Sequence, residues 1–203
     1  MERSLQQILG AEALSSFHEP GPVSHGLPAA AYTSEEFLAL ENERLFRNTW
    51  VFVAFAHELA MPGDAIPVTV AGRPVVLLRN AAGDVKAFHN VCRHRNLQLV
   101  AAPCNVGRVV RCPYHSWTYG LDGDLKIAPY FGGRNPTEVP EGFDRSRQGL
   151  VAVRHCVWHD WIFVNLSGTA PDFDGFVSPL ARWLEDIDFG ELTHLTTIDL
   201  GEV

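Results

Sequence analysis

The chain has 203 residues, 46% of them hydrophobic, with mean hydropathy near zero, enough material for one globular core with extensions. A formal net charge of −8 and a pI near 5.5, with no run of Lys or Arg, argue against nucleic acid or an anionic membrane surface as partner. They leave room for docking onto a basic patch of another protein. No apolar stretch approaches the roughly 18 to 20 residues that cross a bilayer, and the opening MERSLQQILGAEALSSF lacks the apolar core of a signal peptide, so a cytoplasmic location is expected.

A short helical pattern near residues 3–16 leads into a segment with Pro20, Gly21, Pro22, Gly26 and Pro28, read as an extended arm. Thr33-Ser34-Glu35-Glu36 is a capping-box pattern, with Thr33 as cap and Glu36 reaching back to its amide. It precedes a predicted helix over about 34–47 that aligns Phe37, Leu40, Leu45 and Phe46. The apolar run WVFVAF predicts a strand at 50–55. Turn chemistry at Met61-Pro62-Gly63-Asp64 then opens a series of short β segments. These fall at 66–70 and 74–79, at 85–90, at 106–111, and at 116–119 and 125–128 around the hairpin signal Asp122-Gly123. Residues 132–147 are loop-like. Strands at 150–157 and 161–165 flank a turn at Trp158-His159-Asp160. A helix is expected over about 174–186, carrying Phe176, Leu180, Trp183 and Leu184, and a last strand over 193–203 with no sequence neighbour to pair with.

Chemistry concentrates between residues 92 and 115. Cys92-Arg93-His94 is followed, after seventeen residues, by Cys112-Pro113-Tyr114-His115, so two loops each offer one thiol and one imidazole. Two Cys with two His form a metal-ligand set. A two-iron cluster with thiolates on one iron and imidazoles on the other takes one ligand of each kind from each loop. Neutral imidazoles in place of two thiolates lower the negative charge of the site and raise its potential. Pro113 limits the freedom of the second loop, and Trp117 and Tyr114 are placed to screen the site from water.

Duller readings stand beside this one. A structural zinc site uses the same residue types, but fingers run Cys, Cys, His, His, and this chain runs Cys, His, Cys, His. A Cys92–Cys112 disulfide leaves both histidines without a role. Cys104 reads as a free thiol and Cys156 as a buried strand residue. Arg93 and Arg95 either face solvent or position the loops, and the second is preferred. His18, His25, His57, His89 and His194 are scattered. His155, His159 and Asp160 have the residue types of a mononuclear iron triad, but four residues of continuous strand separate His155 from His159 by about 13 Å, too far to share a metal. No phosphate-cradling glycine loop is present, so nicotinamide or flavin is not expected.

The segment from Phe88 to Arg95, FHNVCRHR, followed by RCPYHSWTYG at residues 111–120, resembles the Rieske domain of the large (α) subunits of ring-hydroxylating oxygenases. Tyr32 to Trp50, with Glu41, Leu45 and Phe46, resembles the helix leading into that domain, and Trp161 to Leu166 its closing strand; the likeness covers roughly 32–200. Asn96 departs from it, standing where the family has Gly, and Asn tolerates left-handed backbone.

The resemblance implies a mainly β fold, a Rieske [2Fe–2S] antiparallel β-sandwich with flanking helices, divided into an arm and helix at 1–47, the Rieske domain at 48–168, and 169–203 as the helix and first strand of a catalytic domain. Cys92, His94, Cys112 and His115 are then the cluster ligands, with no catalytic residue in this chain. A reductase or ferredoxin is the expected electron donor and His115 the exit point. A mononuclear Fe(II) is expected only in the catalytic domain, which this sequence, stopping at Val203, lacks or truncates. Aromatic-ring hydroxylation and a homotrimer or α/β hetero-oligomer complete what the resemblance implies. A stand-alone Rieske electron carrier and a zinc-stabilised interaction module are the alternatives.

Overall fold

The computed structural model describes residues 4–18, 26–189, 192–198 and 200–201. Its strands, all paired antiparallel, are β1 (Val51–Phe55), β2 (Asp64–Val70), β3 (Arg73–Arg79), β4 (Val85–His89), β5 (Cys104–Asn105), β6 (Val109–Arg111), β7 (Thr118–Gly120), β8 (Leu125–Ile127), β9 (Arg154–Trp158) and β10 (Trp161–Asn165). They form three small sheets ordered β1-β10-β9, β4-β3-β2-β5 and β6-β7-β8. The helices are α1 (Leu5–Leu9), α2 (Ala11–His18), α3 (Ala30–Thr33), α4 (Glu35–Glu41) and α5 (Phe173–Trp183). This is the mainly antiparallel β architecture with flanking helices that the sequence predicts.

The middle sheet explains the layering. In β3 the run Val75-Val76-Leu77-Leu78 is apolar without alternation, and each of the four has 0% exposure. A strand reads this way when both its faces are covered. Val76 and Leu78 join Phe88, Val110, Trp117, Tyr119 and Leu125 in one core, while Val75 and Leu77 join Ala54, Val85, Ile162 and Val164 in another. Helix α5 closes the outside of the β1-β10-β9 sheet by seating Phe173 and Val177 against Trp50 and Phe163. Trp50 Nε1 donates to the Pro171 carbonyl at 2.9 Å, which ties that corner down.

Several local expectations are corrected. The leading helix breaks in two at Gly10, whose φ of +87° ends α1. Ser34, not Thr33, caps α4: its Oγ accepts from the Phe37 amide at 3.2 Å, whereas Thr33 belongs to α3. The helix expected over 34–47 is α-helical only to Glu41 and widens into a π turn over Asn42–Phe46. The terminal strand is absent from the described residues 192–198, since an apolar alternation without a partner ladder leaves its backbone groups unsatisfied. Pro20, Gly21, Pro22 and His25, part of the expected arm, lie outside the described residues.

Two features hold the middle sheet to the ligand loops. Asn90, fully buried, donates from Nδ2 to the Val100 carbonyl at 2.7 Å and accepts at Oδ1 from the amides of Leu99 and Val100. Gly63 lies so close to Gly107 that an added Cβ would sit 2.3 Å from the Gly107 carbonyl oxygen. Asn90→Ala strands the buried amides of Leu99 and Val100, each costing about 1–3 kcal/mol, while the Val100 carbonyl keeps its bond from Gln98 Nε2 at 3.0 Å. It is expected to destabilise the fold by about 3 kcal/mol in urea denaturation, whereas Arg182→Ala, at an exposed site, should stay within about 0.5 kcal/mol.

Candidate metal centre

The two candidate ligand loops have the same backbone plan. In the first, the Cys92 amide donates to the Leu97 carbonyl and the Asn96 amide to the Cys92 carbonyl, at 2.8 and 2.9 Å. In the second, the Cys112 amide donates to the Trp117 carbonyl and the Ser116 amide to the Cys112 carbonyl, at 2.8 and 3.0 Å. Each loop passes through a left-handed residue four places after its cysteine, Asn96 at φ +56° and Ser116 at φ +58°. Each leaves and re-enters an antiparallel pairing at matching places, Val91 with Gln98 and Arg111 with Thr118. A closed loop of this shape fixes the cysteine at its base and throws the histidine to its tip.

Both cysteines belong to the hydrophobic core, at 1% and 2% exposure, and neither is in a disulfide. Their thiols lie within interaction range of one another. Burial pushes the Cys92 thiol above its ordinary pKa, against the opposing pull of the Tyr119 hydroxyl. Tyr119, with 0% exposure, sets its hydroxyl 3.2 Å from Cys92 Sγ and accepts from the Arg93 amide at 3.0 Å. Its own pKa is raised, first by burial and then by Cys92, so the phenol keeps its proton and is the donor toward a thiolate.

The imidazoles sit nearer the surface, half-buried and 4.7 Å apart between ring centroids. Trp117 stacks on His94 at 4.9 Å with planes 5° apart, and Phe131 meets both rings edge-on. Burial, followed by His115 and Arg95, lowers the pKa of His94 and keeps it neutral at pH 7, the form a metal needs. His115 Nδ1 is buried and has no hydrogen-bond partner. A buried polar nitrogen without a partner costs about 1–3 kcal/mol. Two core cysteines and a buried histidine nitrogen without a partner, carried on two loops of the same plan, have the mixed sulfur and nitrogen chemistry that would fit a two-iron cluster.

A family model of the Rieske [2Fe–2S] domain matches residues 49–139. The chain carries a Rieske [2Fe–2S] domain. It is 37% identical over 163 residues to the glycine betaine monooxygenase oxygenase subunit of Chromohalobacter salexigens, covering 79% of this chain and 34% of that one. It is 35% identical over 144 residues to the carnitine monooxygenase oxygenase subunit of Escherichia coli K12, covering 71% of this chain and 37% of that one. The structure of the quaternary ammonium Rieske monooxygenase CntA with L-carnitine superposes with a TM-score of 0.66 at 33% identity, covering 79% of this chain and 45% of that one. This Rieske protein therefore spans between a third and a half of the length of these relatives, and it matches their Rieske-bearing portion. The domain implies a [2Fe–2S] cluster.

The remaining sequence candidates disperse. The His155 imidazole contacts the carbonyls of Val153 and Val85, Asp160 pairs with His57, and His159 occupies a left-handed turn position. Among the described residues no group of three or more His, Cys, Asp or Glu is arranged around one metal ion. Cys104 is exposed on β5, and Cys156 is half-buried. Arg93 and Arg95, expected to position the loops, instead expose side chains that make no hydrogen bond or ion pair among the described residues; the loops are held by their own backbone bonds. Tyr114, expected to screen the site, packs against the His115 ring but is itself 57% exposed. Sequence reading missed Tyr119 and Asn90, because a phenol against a sulfur 27 positions away is visible only after folding.

In metal-free protein at pH 7.5, iodoacetamide is expected to label Cys104 at least tenfold faster than Cys92 or Cys112, as measured by peptide mass spectrometry. The rates follow thiolate content and access, and equal rates at the three sites contradict the burial described here.

Proposed function

We propose that Cys92, His94, Cys112 and His115 hold the [2Fe–2S] cluster, and that the chain is the electron-relay portion of a Rieske oxygenase. In this reading it takes single electrons from a reductase or ferredoxin and passes them to a mononuclear iron in a catalytic portion. The observation that carries it is the buried, unpartnered His115 Nδ1, together with two core cysteines on loops of the same plan.

Bound there, the cluster supplies a one-electron acceptor of raised potential. The chain's own residues do the rest. Tyr119 donates to Cys92 Sγ and draws charge from the sulfur, which favours the more negative, reduced state. Trp117 and Phe131 fix the plane of His94 and keep water from the sulfur side. The half-buried imidazoles bring the electron path to the surface, with His115 as the exit. Residues 1–47, 48–168 and 169–203 are read as arm, Rieske domain and the beginning of the catalytic portion. Exposed apolar side chains on and after α5, Trp183 at 90% and Leu195 at 90%, support a covering partner for that third part.

For substrate class, the names of the more similar relatives support a quaternary ammonium compound, glycine betaine or carnitine. An aromatic substrate is the second reading, supported by the salicylate 5-hydroxylase large oxygenase component of Ralstonia at 30% identity and by naphthalene 1,2-dioxygenase at 27%.

Purified chain is expected to contain two irons and two acid-labile sulfides and to bleach with dithionite. Zinc in place of iron would sink the proposal. His115→Cys should retain a cluster but lower its potential sharply in a redox titration, since a neutral ligand becomes anionic; an unchanged potential removes His115 from the ligand set. Tyr119→Phe should lower the potential by roughly 40–60 mV, the one-electron equivalent of a hydrogen bond worth about 1 kcal/mol.

A further inference from the structure

We propose that the cavity lined by Arg47, Arg73 and His89 binds a small organic carboxylate with an apolar body, at a site that does not depend on the cluster assignment above. The cavity measures about 390 Å³, within the size range of small-molecule sites. Val91, Val151 and Leu166 give it an apolar wall, and no carboxylate lines it. Each basic group comes from an element held at its backbone. Arg73 opens β3, paired with Val70. His89 ends β4, paired with Val75, and its amide donates to the Val151 carbonyl at 2.9 Å. Arg47 directly follows the π turn, a feature frequent at functional positions. Its carbonyl accepts from the Ser167 amide at 3.0 Å and from Asn165 Nδ2 at 3.3 Å.

The chain itself does not balance the charge inside. Arg47 pairs with Glu43 at 2.8 Å, but the Arg73 side chain and the His89 ring make no hydrogen bond or ion pair among the described residues. Burial first, and Arg73 second, push the His89 pKa down. Two groups that call for an anion therefore sit together without one, and an oxyanion between them removes the conflict. The planar fork of a guanidinium matches a carboxylate or a phosphate. The apolar wall chooses between the two. A carboxylic acid can lay a hydrocarbon body on Val91, Val151 and Leu166, whereas phosphate has only oxygens to place there. A quaternary ammonium zwitterion brings a cation beside two guanidiniums, and the lining offers no Trp, Tyr or Phe face to hold it. The ligand class thus differs from the substrate class proposed above. Val91 immediately precedes Cys92, so a bound acid touches the chain one residue before the first loop's cysteine.

The test is isothermal titration calorimetry of the full purified chain with benzoate, and separately with benzyl alcohol, inorganic phosphate, glycine betaine and a tetraglutamate peptide. Benzoate is expected to bind at one site with a Kd of about 1 mM or tighter. Arg73→Gln should weaken it at least tenfold, the effect of losing a charged hydrogen-bond donor. Benzyl alcohol, phosphate and betaine should each bind the unaltered chain at least tenfold more weakly than benzoate. Arg182→Gln, on α5, should leave benzoate binding unchanged. Absence of benzoate binding up to about 10 mM, or binding that Arg73→Gln leaves intact, overturns the proposal. Phosphate binding as tight as that of benzoate also overturns it, because the site is then a patch of charge without a use for the apolar wall. Tetraglutamate binding that needs Arg73, in a chain that ignores benzoate, overturns it as well and makes the face a docking surface for an acidic protein. Iron content and dithionite bleaching are read on the same samples. Their loss contradicts the cluster assignment and leaves the carboxylate site standing, so the two failures are told apart.

Discussion

A buried histidine nitrogen with no partner, on a loop whose cysteine lies in the hydrophobic core, is unfavourable unless something binds there. Buried polar atoms are normally satisfied, and among the described residues His115 Nδ1 is the buried side-chain nitrogen or oxygen left without a partner. The loops satisfy their own backbones through paired bonds at 2.8 to 3.0 Å, so their side chains are free for another use. Burial raises the Cys92 thiol and lowers the His94 imidazole, so both side chains are uncharged at neutral pH in the metal-free state. A cluster held by these side chains would require the thiols to give up their protons, and metal–ligand bonds would offset the desolvation cost.

The sandwich supplies the rigidity this requires. The middle sheet is covered on both faces, and its β3 strand contributes two residues to the core around the cysteines and two to the core under the β1-β10-β9 sheet. A change at β3 is therefore felt in both cores. Asn90 ties the end of β4 to the chain beyond the first loop, and the close approach of Gly63 to Gly107 ties the start of β2 to the segment entering the second. These contacts place the loops side by side, which loop sequence alone does not do.

Much of this was legible in the chain. The paired Cys and His spacings named the candidate ligands, the turn signal at Met61 to Asp64 marked the start of β2, and that at Asp122-Gly123 placed the β7–β8 hairpin. Asn96 in a left-handed conformation agrees with the tolerance expected of Asn at that place. The failures are local or long-range. Thr33 and Ser34 are both good caps by type, and only the geometry of α3 decides between them. The alternation after residue 193 has the pattern of a strand, but a strand needs an edge. Tyr119 and Asn90 act across distances in sequence that no motif encodes. Net charge averages over the whole chain and does not register that the stretch from residue 85 to 121, which includes both loops, contains no carboxylate.

The central claim is that the two imidazoles, with the two thiolates, are ligands of one [2Fe–2S] cluster. Pulsed electron paramagnetic resonance of the dithionite-reduced chain tests this most directly. Two strongly coupled nitrogen nuclei are expected, one of them lost in His94→Cys and the other in His115→Cys. A spectrum with one coupled nitrogen or none, or with couplings that survive both substitutions, contradicts the account.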